Sequence, residues 1–259
     1  MSAIDPAARR VPPLGGFNLT LLSLELRRML RNRRTIVFAL VFPAAMFFVF
    51  GSGAQGDERV GEGNVSAYVM VSMALYGGAL IAASTGAGVA VERALGWSRQ
   101  LRLTPLQPAV YIVVKALVAL VAGAIAITVV DLVGLAQGRP QMPTAVWVEC
   151  AVLTLVCTMT FAALGVFAGY VVPGENAMQV LGPGLALLSF LGGLFIPLSS
   201  YSPVIRDIAF WTPMYGVAEV ARAPLTHELP WYAVVNAVVW LGLFILGAAW
   251  RMSRDTARV

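Results

Sequence analysis

Residues 65–91 read VSAYVMVSMALYGGALIAASTGAGVAV, a run without a single charged side chain. A helix of this length reaches about 40 Å at about 1.5 Å per residue, more than the roughly 30 Å hydrocarbon core of a bilayer. Working outward, five further apolar blocks occupy Thr35 to Phe50, Ala109 to Leu135, Val146 to Val172, Ala177 to Leu198 and Trp231 to Trp250. The first of these is the shortest; Arg33 and Arg34 can extend it by snorkelling, and Pro43 is a place for a kink. A cleaved signal peptide ending near residues 51–54 is the alternative for that block, but the arginine-bearing helix before it is a poor match. The chain as a whole is 59% hydrophobic and 12% charged, about half the charge of an average soluble domain. The expected fold is therefore an all-α membrane protein with six transmembrane helices.

The basic residues give the orientation. With both ends in the cytoplasm, fourteen of the eighteen Lys and Arg residues lie inside, and Arg59, Arg139, Arg206 and Arg222 lie outside. Basic segments flanking apolar blocks also account for the net charge of +5 through topology and anionic lipid, so membrane lipid is an expected partner and nucleic acid is not. Residues 1–16, rich in Pro, Arg and Ala, are expected to be a mobile cytoplasmic tail ahead of a single membrane domain over 17–259. Within it, 17–34 carries Leu19, Leu22, Leu26, Met29 and Leu30 at helical spacing, with Arg27, Arg28 and Arg31 on other faces. That pattern predicts an amphipathic helix at the inner membrane surface.

Between the last two blocks, residues 199–230 contain two short helix-like stretches, Ile205 to Trp211 and Met214 to Ala221, separated by Pro213. Each is too short to cross the bilayer, and both fit helices dipping into it from outside. Gly78, Ala82 and Gly86, four residues apart, would let a neighbouring helix approach closely.

Catalytic chemistry is hard to assemble from this chain. No Gly-x-x-x-x-Gly-Lys-Ser/Thr loop occurs, and the one lysine, Lys115, follows Val114; the chain is not expected to hydrolyse ATP by itself. His227 is the only histidine, so neither a histidine-based metal cage nor a serine–histidine triad is available. Cys150 and Cys157 share one helical face about two turns apart, too far to bridge. Asp131 lies at the outer end of its block and is a candidate conduit residue.

The segment after the second block reads Glu92-Arg93-Ala94-Leu95-Gly96-Trp97-Ser98-Arg99-Gln100-Leu101-Arg102-Leu103-Thr104-Pro105, with Lys115 following. It resembles the first cytoplasmic loop of the type-2 ABC exporter permeases, in which an acid–Arg pair, a Gly, a Leu-rich short helix, a Thr-Pro and a later Lys recur in that order. Gly192-Gly193-Leu194-Phe195-Ile196-Pro197, followed by Pro203, Thr212-Pro213-Met214, Glu219 and Arg222, is similar to that family's fifth span and outer re-entrant helices. The resemblance covers nearly the whole chain from Phe17. Ala94 and Trp97 depart from it, standing where members often have a second acid and a Thr.

The resemblance implies the membrane half of an ATP-driven exporter. The partners it implies are two copies of a soluble ABC ATPase, which would hold ATP and Mg, and a second copy of the permease or a homologue. The chain itself would bind no cofactor. It further implies a coupling loop over 92–108, with Glu92, Arg93, Gly96, Arg99, Leu101, Arg102, Thr104 and Pro105 contacting the ATPase and Glu175 as a second contact. Pro197, Pro203, Pro213, Glu219 and Arg222 would shape the outer re-entrant segment. An amphipathic drug or antibiotic and a lipid-linked polysaccharide are both compatible cargoes. A secondary transporter would be expected to carry acids near the membrane midplane, and a membrane-embedded lipid-modifying enzyme a polar cluster on facing helices; this chain's acids lie mostly at span edges.

Overall fold

The computed structural model describes residues 13–53, 55–96, 107–172 and 176–256. After a 3-10 turn at Pro13–Gly16, the helices in chain order are α1 (Leu19–Arg31), α2 (Arg33–Phe50), α3 (Val65–Ala94), α4 (Pro108–Gln137), α5 (Thr144–Val171), α6 (Asn176–Leu191), α7 (Pro203–Ala209), α8 (Pro213–Thr226) and α9 (Trp231–Thr256). A two-stranded antiparallel hairpin, β1 (Arg59–Val60) with β2 (Gly63–Asn64), precedes α3 and pairs Arg59 with Asn64.

Four of these helices, α3, α4, α5 and α9, are long and apolar enough to cross a membrane, and α1 with α2 makes five if that bent pair counts as one span. The six-span expectation departs from this count at two places. The axes of α1 and the body of α2 meet at 66°. Asn32 makes the elbow: its N–H donates to the Met29 carbonyl, closing α1, and its side-chain oxygen caps Thr35 N–H, opening α2. The fifth apolar block was expected to run to Leu198, but α6 stops at Leu191. Gly193 there adopts φ +75°, a left-handed conformation that ends helices and favours glycine.

The centre of the bundle is α3: 83% of its most apolar window is buried, against 17% for α9. An apolar chain that leaves α9 so exposed needs a non-aqueous surround, and Val238, Leu243 and Leu246 on that helix face outward as a bilayer-covered surface would. Close approach of α3 and α5 rests on the small residues. A Cβ on Gly86 would lie 2.4 Å from the Ala162 carbonyl oxygen, and one on Gly165 would lie 2.0 Å from that of Ala83. The two helices therefore touch backbone to backbone, as the Gly78-Ala82-Gly86 spacing anticipates.

Candidate functional site

The end of the bundle expected to face the cytoplasm, called the inner end on that expectation, is built around charges that the sequence scatters over three helices. On α1, Glu25 falls on the stripe with Leu22, Leu26 and Met29 that turns toward the protein, and Glu25 is the buried residue of that helix. On α4, Tyr111 and Lys115 are one turn apart and share a face. Glu92 closes the group from the last turn of α3.

Lys115 Nζ donates to Glu25 Oε2 at 2.6 Å and also to Glu92 Oε1. Arg28, one turn beyond Glu25 on α1, donates to the same Glu92 oxygen at 2.8 Å, and the Tyr111 hydroxyl donates to Glu92 Oε2. The order Arg28–Glu92–Lys115–Glu25 alternates in sign and sums to zero. Glu92 and Lys115 are 3% and 5% exposed, a depth at which an ionised group persists only when paired and hydrogen-bonded. The four charges thus pin α1, α3 and α4 to one another at the base of the loop that follows α3. A cavity of about 210 Å3 opens beside them, with Ser84, Thr85 and Asn32 on its wall.

The ends of that loop are also tied. Arg93 donates to the Gly169 and Tyr170 carbonyls at 3.2 and 3.3 Å and stacks on the Tyr170 ring at 4.9 Å, a favourable seat for a cation at the C-terminus of α5. Gly96 adopts φ +72° directly after Leu95, which is 71% exposed. Where the chain returns, Gln107 N–H donates to the Gly15 carbonyl at 3.0 Å. Residues 13–16, expected within a mobile tail, are thereby docked on the start of α4. Arg99, Leu101, Arg102, Thr104, Pro105 and Glu175 lie outside the described residues.

Glu92 and Arg93, expected at the ATPase contact, direct their side chains toward neighbouring helices, where Lys115 and Arg28 hold the first and the Gly169 and Tyr170 carbonyls the second. Glu25 and Tyr111 were not anticipated. The available signals were an acid on the apolar stripe of α1 and the single lysine buried within an apolar block.

At the outer end, Arg222 of α8 is 2% exposed. Its guanidinium donates to Tyr68, to Ser72 Oγ at 3.4 Å, to the Gly193 carbonyl at 3.2 Å and to Glu219 Oε1 at 2.9 Å, and lies 4.4 Å from the centre of the Tyr68 ring. Glu219 and Arg222 thus form an ion pair within α8, and Arg222 fastens the outer segment to α3. Pro203 and Pro213 occupy the first turns of α7 and α8, where a missing N–H costs nothing, and Pro197 leads into the 3-10 turn Leu198–Ser200. Asn236 of α9 accepts from Gly216 N–H at 3.2 Å and donates to the Phe210 carbonyl at 2.8 Å, which fastens the same segment to the last span. Asp131 of α4 and Trp147 of α5 line one gap, and that gap has no room for a water.

The family profile of the ABC-2 type transporters matches residues 18–226, which takes in both charged ends and everything between them. The chain belongs to this family. It is a membrane permease of an ABC transporter, in agreement with the apolar helices and their exposed outer faces. Among curated proteins, this ABC-2 chain is 25% identical over 229 residues to YvfS of Bacillus subtilis, named as a transport permease; the match spans 86% of this chain and 91% of that one.

Proposed function

We propose that the chain is the six-span permease subunit of an ATP-driven exporter that moves an amphipathic, drug-like or lipid-like molecule out of the cell. On this reading α2 and α6 serve as the first and fifth spans, both termini are cytoplasmic and α1 lies along the inner surface. ATP is hydrolysed by two copies of a separate soluble subunit, and a second permease completes the conduit. The family membership and the absence of a phosphate-cradling loop from the sequence support this division of labour.

The observation that carries the mechanism is the alternating charge group at the base of the 92–105 segment. An ATPase that seats the part of this segment that includes Leu101, Arg102 and Thr104 can move the spans only through a stiff connection. Glu92 is joined to α1 through Arg28 and to α4 through Lys115, so a displacement of the loop is delivered to three helices together. Two variants separate seating from transmission. Arg102→Glu should lower recovery of the ATPase complex. Glu25→Gln, which removes a charge from the joint and none from the loop, should leave complex recovery unchanged while transport per ATP falls. Wild-type transport per ATP in Glu25→Gln would refute the transmission role. Single cysteines at Glu58 and Arg254 test the orientation: an impermeant thiol reagent applied to intact cells should label the first and not the second.

A further inference from the structure

A second cavity, of about 190 Å3, lies between α4, α5 and α9 with a wall from α3. We propose that it binds one acyl chain of an anionic phospholipid, with the lipid phosphate held beside Arg251. Its lining is apolar apart from Lys115 and Tyr170, and Lys115 offers only its methylene stem, because Nζ is turned to Glu25 and Glu92.

The dimensions suit a chain. The lining runs from Met159 to Tyr170 on α5 and from Leu241 to Met252 on α9, about 16 Å of helix in each case, which is about one leaflet of a 30 Å core. A volume of about 190 Å3 spread over that length is a furrow one methylene chain wide, far narrower than the 10–12 Å of a helix. Ala116, Ala163 and Ala249 keep the floor low, while Ile112 and Ile245, 39% and 51% exposed, stand as its rims. α9 is the most exposed of the spanning helices, so the furrow meets lipid directly.

Charge selects the headgroup. The furrow ends at Met252, next to Arg251, and Arg251 and Arg254 flank Trp250 with their guanidinium carbons 6.0 and 4.0 Å from its ring. Neither arginine has a carboxylate partner among the described residues. A tryptophan between two long cationic side chains is an interfacial arrangement that places positive charge at phosphate level. The assignment to the inner leaflet rests on the orientation proposed above; the furrow and its preference for an anionic lipid do not.

The test uses the full chain in phosphatidylcholine vesicles doped with phosphatidylglycerol that carries a photoactivatable diazirine in mid-chain. Cross-links should concentrate on peptides 159–170 and 241–252, and excess unlabelled phosphatidylglycerol should displace them while phosphatidylcholine does not. Ala163→Phe, which fills the floor, should abolish this labelling, and Ala249→Phe, on an exposed helix face, should do the same without burying new bulk in the bundle. Arg251→Gln should reduce the preference for the anionic lipid about fivefold, the effect of one interfacial arginine. Labelling spread evenly over the exposed faces of α2 and α4, equal displacement by both lipids, filled variants labelled like the wild type, or a furrow shielded by a second permease copy would each overturn the proposal. No ATPase is present in the experiment, so its outcome and that of the coupling test are independent.

Discussion

The two ends of the bundle solve the same problem, joining helices through buried polar groups, in opposite ways. At the inner end two acids and two bases from three helices compensate one another, and Lys115 sits between two carboxylates. At the outer end one arginine meets mainly neutral acceptors, the Tyr68 and Ser72 hydroxyls and the Gly193 carbonyl, with Glu219 as its single acid. Neutral acceptors can turn to other donors, whereas like charges left facing each other cannot. The inner joint should therefore be the more sensitive of the two, and also the more responsive to a push on one member. On the proposed coupling role, that suits the end that receives motion, and the outer end would act as a fastening.

The largest effect should come from Lys115→Met. It leaves Glu25 and Glu92 buried with Arg28, itself on the half-exposed side, as the remaining cation, and breaking a buried charged group in this way costs about 3–5 kcal/mol. Chemical denaturation of the solubilised protein should show that loss, and adding Glu25→Gln should recover part of it by removing one uncompensated charge. Wild-type stability in Lys115→Met would break the comparison at its stronger end.

Arg222→Met should cost less, about 1–3 kcal/mol. Glu219 is 23% exposed on its side chain and can turn to water, and the Ser72 hydroxyl already donates to the Tyr68 carbonyl at 2.9 Å. Faster proteolysis within 199–230 at unchanged inner-end labelling is the expected signature. A loss equal to that of Lys115→Met would mean that charge compensation is not what separates the two ends.

The smallest effect is expected at the outer rim, where His227 and Glu62 meet at 3.0 Å with side chains 65% and 49% exposed. Solvent and salt screen such a pair, so His227→Gln should shift stability by no more than about 0.5 kcal/mol. A measurable drop would show that the hairpin before α3 depends on this contact as well as on the Glu62 N–H bond to the Leu225 carbonyl.

Several features were legible in the sequence because they depend on neighbours along the chain. Apolar blocks of 20 to 30 residues can be satisfied only as helices in a non-aqueous medium, so helix content and membrane location followed directly. Proline at a first turn is equally local, and Pro203 and Pro213 do open helices. The four-residue spacing of Gly78, Ala82 and Gly86 was enough to anticipate a close helix contact, though not that α5 would supply it through Gly165. What lay beyond the sequence was which charged residues meet. Lys115 finds Glu25 ninety residues away and Arg222 finds Tyr68 across 154, and nothing in the local pattern at either position names its partner. The same holds for the end of α6: the apolar block continues to Leu198, but the left-handed turn at Gly193 is needed to bring that residue's carbonyl to Arg222. Hydrophobicity and propensity act over a few residues and are written in the chain. The matching of buried charges acts across helices and is decided only when packing brings them within hydrogen-bonding distance.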